Sequence, residues 1–228
     1  MSQTNFFNAV EAGDMSELSR LLDADPSLLD TKNERGASAV LTACYSGRKD
    51  VRDFLLARGP LLGLAEAAAS GHLSRVKELV EANPEAAKSY SPDGFPVMAL
   101  AAVFGHEEVA RYLLSKGADV NAAATNGSGY TALTGAVASG HGAIATWLAE
   151  NGANVNYRYG QGYSPLLTAA ANGHLDIVKM LLSHGASLQA RTDDGKNVLA
   201  LAEERKHKAL ADYLRELGVT ISGPSLCS

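Results

Sequence analysis

Apolar residues in this chain alternate between two textures. Short segments of small residues, such as Leu100-Ala101-Ala102, Gly135-Ala136-Val137 and Thr168-Ala169-Ala170, are followed by stretches with larger apolar residues at helical spacing. Those stretches carry Val109, Leu113 and Leu114, then Ile144, Trp147 and Leu148, then Ile177, Val178, Leu181 and Leu182. A one-sided stripe at that spacing predicts an amphipathic helix. The small-residue segment predicts a slim helix that neighbours can approach closely on both sides. One glycine separates the two helices. A second ends the pair, in Gly117-Ala118-Asp119-Val120-Asn121, Gly152-Ala153-Asn154-Val155-Asn156 and Gly185-Ala186-Ser187-Leu188-Gln189. Glycine enters the left-handed conformation past a helix end without steric cost. The pattern therefore predicts helix, turn, helix, loop.

The Gly-His pair at the turn occurs at residues 71, 105, 140 and 173, with related pairs at Gly13-Asp14, Gly47-Arg48 and Lys206-His207. Successive steps are 34, 24, 34, 35, 33 and 33 residues. One helix pair cannot bury its apolar face alone, so a near-constant period predicts a stack of units. Unit boundaries fall near 3–32, 33–60, 61–90, 91–124, 125–157, 158–190 and 191–221, read as a single domain over 1–221. Residues 222–228 are expected to form a flexible tail.

The stretches Gly162-Tyr163-Ser164-Pro165-Leu166 through Gln189 and Gly129-Tyr130-Thr131-Ala132-Leu133 through Asn156 resemble the ankyrin repeat. The resemblance covers roughly residues 5–218. It implies an all-α ankyrin-repeat solenoid of about seven helix-turn-helix units with short β-hairpin loops. One departure is consistent: the family's histidine after Pro-Leu is replaced by Leu41, Ala99, Thr134, Leu167 and Ala200. The loop hydrogen bonds of that histidine must come from other groups, so less rigid units are expected.

Two irregularities stand out. The 24-residue step lacks the length of one hairpin, so the helix after Arg58-Gly59-Pro60 is expected to begin almost at once, with the hairpin missing near residues 59–63. An offset of 58 also aligns Leu21-Leu22…Asp25-Pro26 with Leu79-Val80…Asn83-Pro84, Gly36 with Gly94, and Phe54-Leu55-Leu56 with Tyr112-Leu113-Leu114. It reads as a two-repeat cassette copied once. At the ends, Phe6 and Phe7 are expected to cover the core, and the Glu203 to Lys208 segment gives the last unit a polar outer face.

Composition narrows the function. The chain has 46% hydrophobic and 20% charged residues and a net charge of −5, which fits a soluble globular protein and disfavours nucleic acid as partner. No run of 18 apolar residues predicts a membrane span. The start Met1-Ser2-Gln3-Thr4-Asn5 does not resemble a secretion signal, and Cys44 and Cys227 are too few for a disulfide framework. A cytoplasmic monomer is expected.

No reactive constellation emerges. His72, His106, His141, His174 and His207 share one repeat position. Neighbouring helices lie about 8–10 Å apart, whereas metal ligands sit about 2 Å from their ion, so these residues are read as caps of the second helix. His184, beside a helix-ending glycine, is assigned no functional role. Cys44 falls in an alanine-like slot of a first helix, which predicts an inert thiol. Gly127-Ser128-Gly129 and Gly160-Gln161-Gly162 lack the Lys-Ser/Thr of a phosphate loop. No catalytic residue, cofactor or metal is expected.

The resemblance implies a partner protein bound by loop tips and by solvent-facing positions of the first helices, which line a concave groove. Those positions hold Tyr45, Phe95, Val103, Phe104, Tyr130, Tyr163 and Asn172, with Tyr157 and Tyr159 on an adjoining loop and Ala69 and Ser70 as third-unit equivalents. Taken singly, an aromatic residue beside a loop can simply pack on its neighbour. Taken together they match a binding hot spot. Residues 125–190 also carry only Glu150, Arg158, Asp176 and Lys179 as charges, where an average segment has about 16, and interface cores are depleted of charge. The expected function is non-catalytic binding of a partner protein or peptide; the alternative is a regulatory or inhibitory subunit that occludes a partner enzyme. Trp147, in a second helix, is read as packing. Asn121 and Asn156 end Val-Asn turns of a kind that is hydroxylated in some ankyrin proteins, or serve simply as turn residues.

Overall fold

The computed structural model describes residues 2–221; the expected tail at 222–228, with Cys227, lies outside them. Among the described residues fourteen α-helices form seven consecutive pairs. They are α1 (Ser2–Ala12) with α2 (Met15–Ala24), α3 (Ala39–Tyr45) with α4 (Lys49–Ala57), α5 (Leu64–Ser70) with α6 (Leu73–Ala82), and α7 (Val97–Val103) with α8 (Glu107–Ser115). There follow α9 (Ala132–Ala138) with α10 (Gly142–Glu150), α11 (Pro165–Ala171) with α12 (Leu175–Ser183), and α13 (Val198–Glu204) with α14 (Lys208–Glu216). The chain divides after Ala118, so that α1 to α8 form one unit and α9 to α14 another.

In the first unit the slim helices pack side by side, α1 on α3, α3 on α5 and α5 on α7, and each carries its partner helix. Alanine permits this: Ala67, Ala68, Ala69, Ala101 and Ala102 are fully buried between neighbours. Phe6, Leu18, Leu55 and Leu113 fill the larger spaces, and Phe6 and Phe7 meet edge to face at 5.5 Å, closing the end of the core. In the second unit α9 packs on α11 and α11 on α13, around Leu133, Leu148, Leu166, Leu167 and Leu181. Trp147 is buried there, a packing residue.

The loops are short hairpin-like turns rather than laddered strands. Among the described residues there is no strand, only three isolated antiparallel bridges, Lys32 with Ser38, Tyr90 with Pro96 and Tyr159 with Tyr163. Backbone bonds close the loops, such as the Asn33 amide to the Ala37 carbonyl at 2.8 Å and the Ser91 amide to the Phe95 carbonyl at 2.8 Å, and side chains add to these. Asn33 Oδ1 accepts the Arg35 and Ala37 amides at 3.0 Å each, Ser91 Oγ the Phe95 amide at 3.0 Å, and Thr192 Oγ1 the Lys196 amide at 3.0 Å. First helices start on side-chain caps: Ser38, Thr131, Ser164 and Asn197 each accept the amide three residues on. Thr134, one of the residues in the family's histidine position, accepts the Thr131 amide and completes a capping box.

Between α4 and α5 only residues 58–63 intervene, against 25–38 and 83–96 in the flanking connections. The missing finger is confirmed. The offset of 58 also holds in three dimensions: α2, α3 and α4 map onto α6, α7 and α8 residue for residue, as do the 3-10 turns Pro26–Asp30 and Pro84–Lys88. At the far end Lys206 takes a left-handed φ of 62° where the other units have glycine, and the polar run Glu204, Arg205, Lys206 and Lys208 is exposed.

Candidate functional site

The candidate residues gather into two aromatic groups, one in each unit. In the first, Tyr45 ends α3 and is 41% exposed. Phe95, on the loop before α7, and Phe104, just after it, place their ring centroids 6.2 and 5.9 Å from the Tyr45 ring. Both phenylalanines are half-buried against Leu41, Cys44, Ala69 and Leu100. Burial, and then the hydrogen bond to Asp93, hold the Tyr45 phenol far above the ordinary tyrosine pKa. Val103, at the end of α7, is half-buried. Ala69 does not face outward; it is fully buried, because α7 packs directly on α5.

In the second unit the Tyr130 ring lies 5.3 Å from that of Tyr159, and Tyr157 stacks on Tyr159 at 6.3 Å and 11°. The Tyr159 hydroxyl is hydrogen-bonded to that of Thr168, and burial pushes its pKa up to about 12. Tyr163 is half-buried opposite Tyr159 in the bridge. Asn172 is exposed, and its Nδ2 donates to the Ala138 carbonyl at 3.1 Å. The tyrosines thus brace one another as well as presenting ring surface, and each such pair adds about 0.5–1.5 kcal/mol beyond area burial.

The histidines do stand at the N-caps of the second helices, but none of these five caps its helix through its side chain. His106 Nε2 instead bonds the Ala69 carbonyl at 3.0 Å, and His207 Nε2 the Ala171 carbonyl at 3.0 Å. Arg48, in the same position, donates to the Glu11 carbonyl at 3.2 Å. The acceptor is each time two residues before the turn glycine of the preceding unit. The sequence period located the residue without revealing its partner. Among the described residues no group of three His, Cys, Asp or Glu side chains is placed to hold a metal, and no helix is long and apolar enough to cross a membrane.

Cys44 is buried, with Sγ 3.6 Å from the Ala69 carbonyl oxygen, and burial raises its pKa to about 11. The folded state therefore favours the neutral thiol. Its contribution to stability is complete below the unfolded value near 9 and declines as pH climbs to 11. Alkylation of native protein at pH 8 is expected to be at least tenfold slower than of urea-unfolded protein, and Cys44→Ala should flatten the loss of stability between pH 9 and 11. Equal labelling rates would contradict this account.

Residues 64–159 match the family model described as ankyrin repeats (3 copies), and residues 148–202 match that described as ankyrin repeats (many copies). Together they span more than half of the 228 residues. The chain belongs to the ankyrin repeat family. Among curated relatives, the mouse (Mus musculus) ankyrin repeat and SAM domain-containing protein 6 is 32% identical over 128 residues, and its Rattus norvegicus counterpart 34% over 128. Each alignment covers 56% of this ankyrin chain and 12% of the relative. Ankyrin repeats are protein–protein interaction modules, and that coarse function extends to this chain.

Proposed function

We propose that this ankyrin chain is a non-catalytic adaptor that holds a partner protein against the ends of its first helices, with the Tyr45 ring as principal anchor. The observation that carries the reading is the exposure of Tyr45 between two aromatic neighbours that fix its position. A preordered ring loses little entropy on burial, as hot-spot residues require. The tyrosines of the second unit, in the charge-poor stretch, offer a further contact surface, with Tyr163 and Asn172 at its edge.

Affinity capture with quantitative mass spectrometry tests the reading. Tyr45→Ala combined with Tyr163→Ala should lower recovery of a specific partner at least tenfold, with circular dichroism unchanged. Glu108→Ala, on the exposed face of α8, should leave recovery unaltered. Recovery that ignores both rings would refute the proposal.

A further inference from the structure

The third unit has no finger, and a cleft of about 280 Å³ opens beside α5 where residues 58–63 replace one. It is lined by Leu29, Pro60, Leu61, Leu62 and Glu66, among others. Glu66 is unusual in three respects. Five residues before the turn, the other units place Asn8, Thr42, Leu100, Gly135, Thr168 and Leu201, none of them charged. Its side chain is nine-tenths buried, only 7% of the residue remaining exposed. No hydrogen bond or ion pair engages its carboxylate among the described residues.

The equivalent threonines explain what is absent. Thr42 accepts from Asn33 Nδ2 at 3.3 Å, and Thr168 is bonded to the Tyr159 hydroxyl, so each is met by a side chain of its own unit's finger. Glu66 has no finger to meet it. Gly63 reinforces the point. Its φ of −75° suits any residue, yet a Cβ there would lie 2.7 Å from Glu66 Oε2. A side chain at this position would crowd the carboxylate where it now lies.

Of the other charges lining the cleft, Asp30 accepts the Leu61 amide at 2.9 Å, while Arg75 donates to the Leu62 carbonyl at 3.0 Å and pairs with Glu78 at 2.8 Å. Lys32 is exposed. A buried carboxylate is costly unless a cation and hydrogen bonds compensate it. At the mouth Leu61 is 78% exposed, an apolar surface beside the acid.

From these features we infer that the cleft binds an extended peptide segment of a partner protein in place of the missing finger, with an arginine side chain on Glu66 and a neighbouring apolar side chain on Leu61. The cleft lies just below the roughly 300–1,000 Å³ of small-molecule sites, which suits a single side chain. The inference is independent of the aromatic anchors, and an isolated peptide tests it apart from partner capture.

The probe is the capped peptide leucyl-arginyl-leucine amide, titrated into the full chain by two-dimensional NMR, with its citrulline analogue as uncharged control. Shifts confined to residues 60–66 and their neighbours are expected, with citrulline at least tenfold weaker. Glu66→Gln should weaken the arginine peptide at least tenfold while keeping side-chain volume, and Gly63→Ala should do so while keeping the charge. Lys32→Met should tighten binding by removing a competing cation, and unchanged or weaker binding by this variant would count against Glu66 as the anchor. Equal binding of the two peptides, or no shift at the cleft in the wild type, overturns the proposal.

Discussion

Gly173→Ala is expected to destabilise the second unit by about 3 kcal/mol, whereas Gly185→Ala should cost only about 1 kcal/mol. Both glycines have left-handed φ, 74° and 85°, so the backbone penalty is shared. Their surroundings differ. Nothing lies within 4 Å of a Cβ built on Gly185, whereas one built on Gly173 would clash with the His207 ring, with Nδ1, Cε1 and Cγ all closer than 3 Å. The ring must then leave, and with it goes the bond from Nε2 to the Ala171 carbonyl, which contributes about 1 kcal/mol. Urea unfolding of the two single variants measures the difference. A cycle with His207→Ala isolates its cause, since removal of the ring should relieve the crowding and make the two effects non-additive. Additive effects would mean that the glycine serves the backbone alone.

That pair of residues also marks the boundary between what the sequence carries and what only the fold creates. The helix pairs, their period, the absent finger and the duplicated cassette were legible because each leaves a local or periodic mark: an apolar stripe, a turn glycine, a shortened step. The role of His207 was not, because its acceptor is the Ala171 carbonyl, 36 residues away, and a backbone acceptor leaves no mark in a sequence. The loops read as hairpins through the family resemblance, and each is closed by a backbone bond, with the Asn33, Ser91 and Thr192 side chains bonding the same loop, a reinforcement that spacing alone does not reveal.

Legibility at the candidate site was uneven in the same way. The period placed Tyr45, Phe95 and Phe104 at three different positions of the repeat that were expected to face outward, and the structure brings these three rings together. It did not show that Tyr130, Tyr157 and Tyr159 brace one another, since ring stacking depends on loop conformation rather than spacing. Glu66 was missed altogether. A glutamate in a helix ordinarily faces water, and nothing in its spacing marks this one as buried.

Asn156→Ala should lower stability by about 2 kcal/mol, a large effect for an exposed loop residue. Its amide clasps the following repeat with both ends: Nδ2 donates to the Gly185 carbonyl at 2.9 Å, and Oδ1 accepts the Ser187 amide at 2.9 Å. Asn121 repeats the clasp one unit earlier, with Gly152 at 3.0 Å and the Asn154 amide at 2.8 Å. Both asparagines therefore act as staples between successive turns, and the second unit contains both. Asn156→Asp separates the two bonds. At neutral pH the carboxylate keeps the Ser187 bond but turns an oxygen toward the Gly185 carbonyl, so it should be no more stable than the alanine variant. Below the carboxyl pKa the acid regains a donor, and part of the loss should return. That pH-dependent recovery, measured by chemical denaturation against wild type, identifies the two-ended clasp; an Asn156→Asp protein as stable as wild type at pH 7 would show that the Gly185 bond contributes nothing.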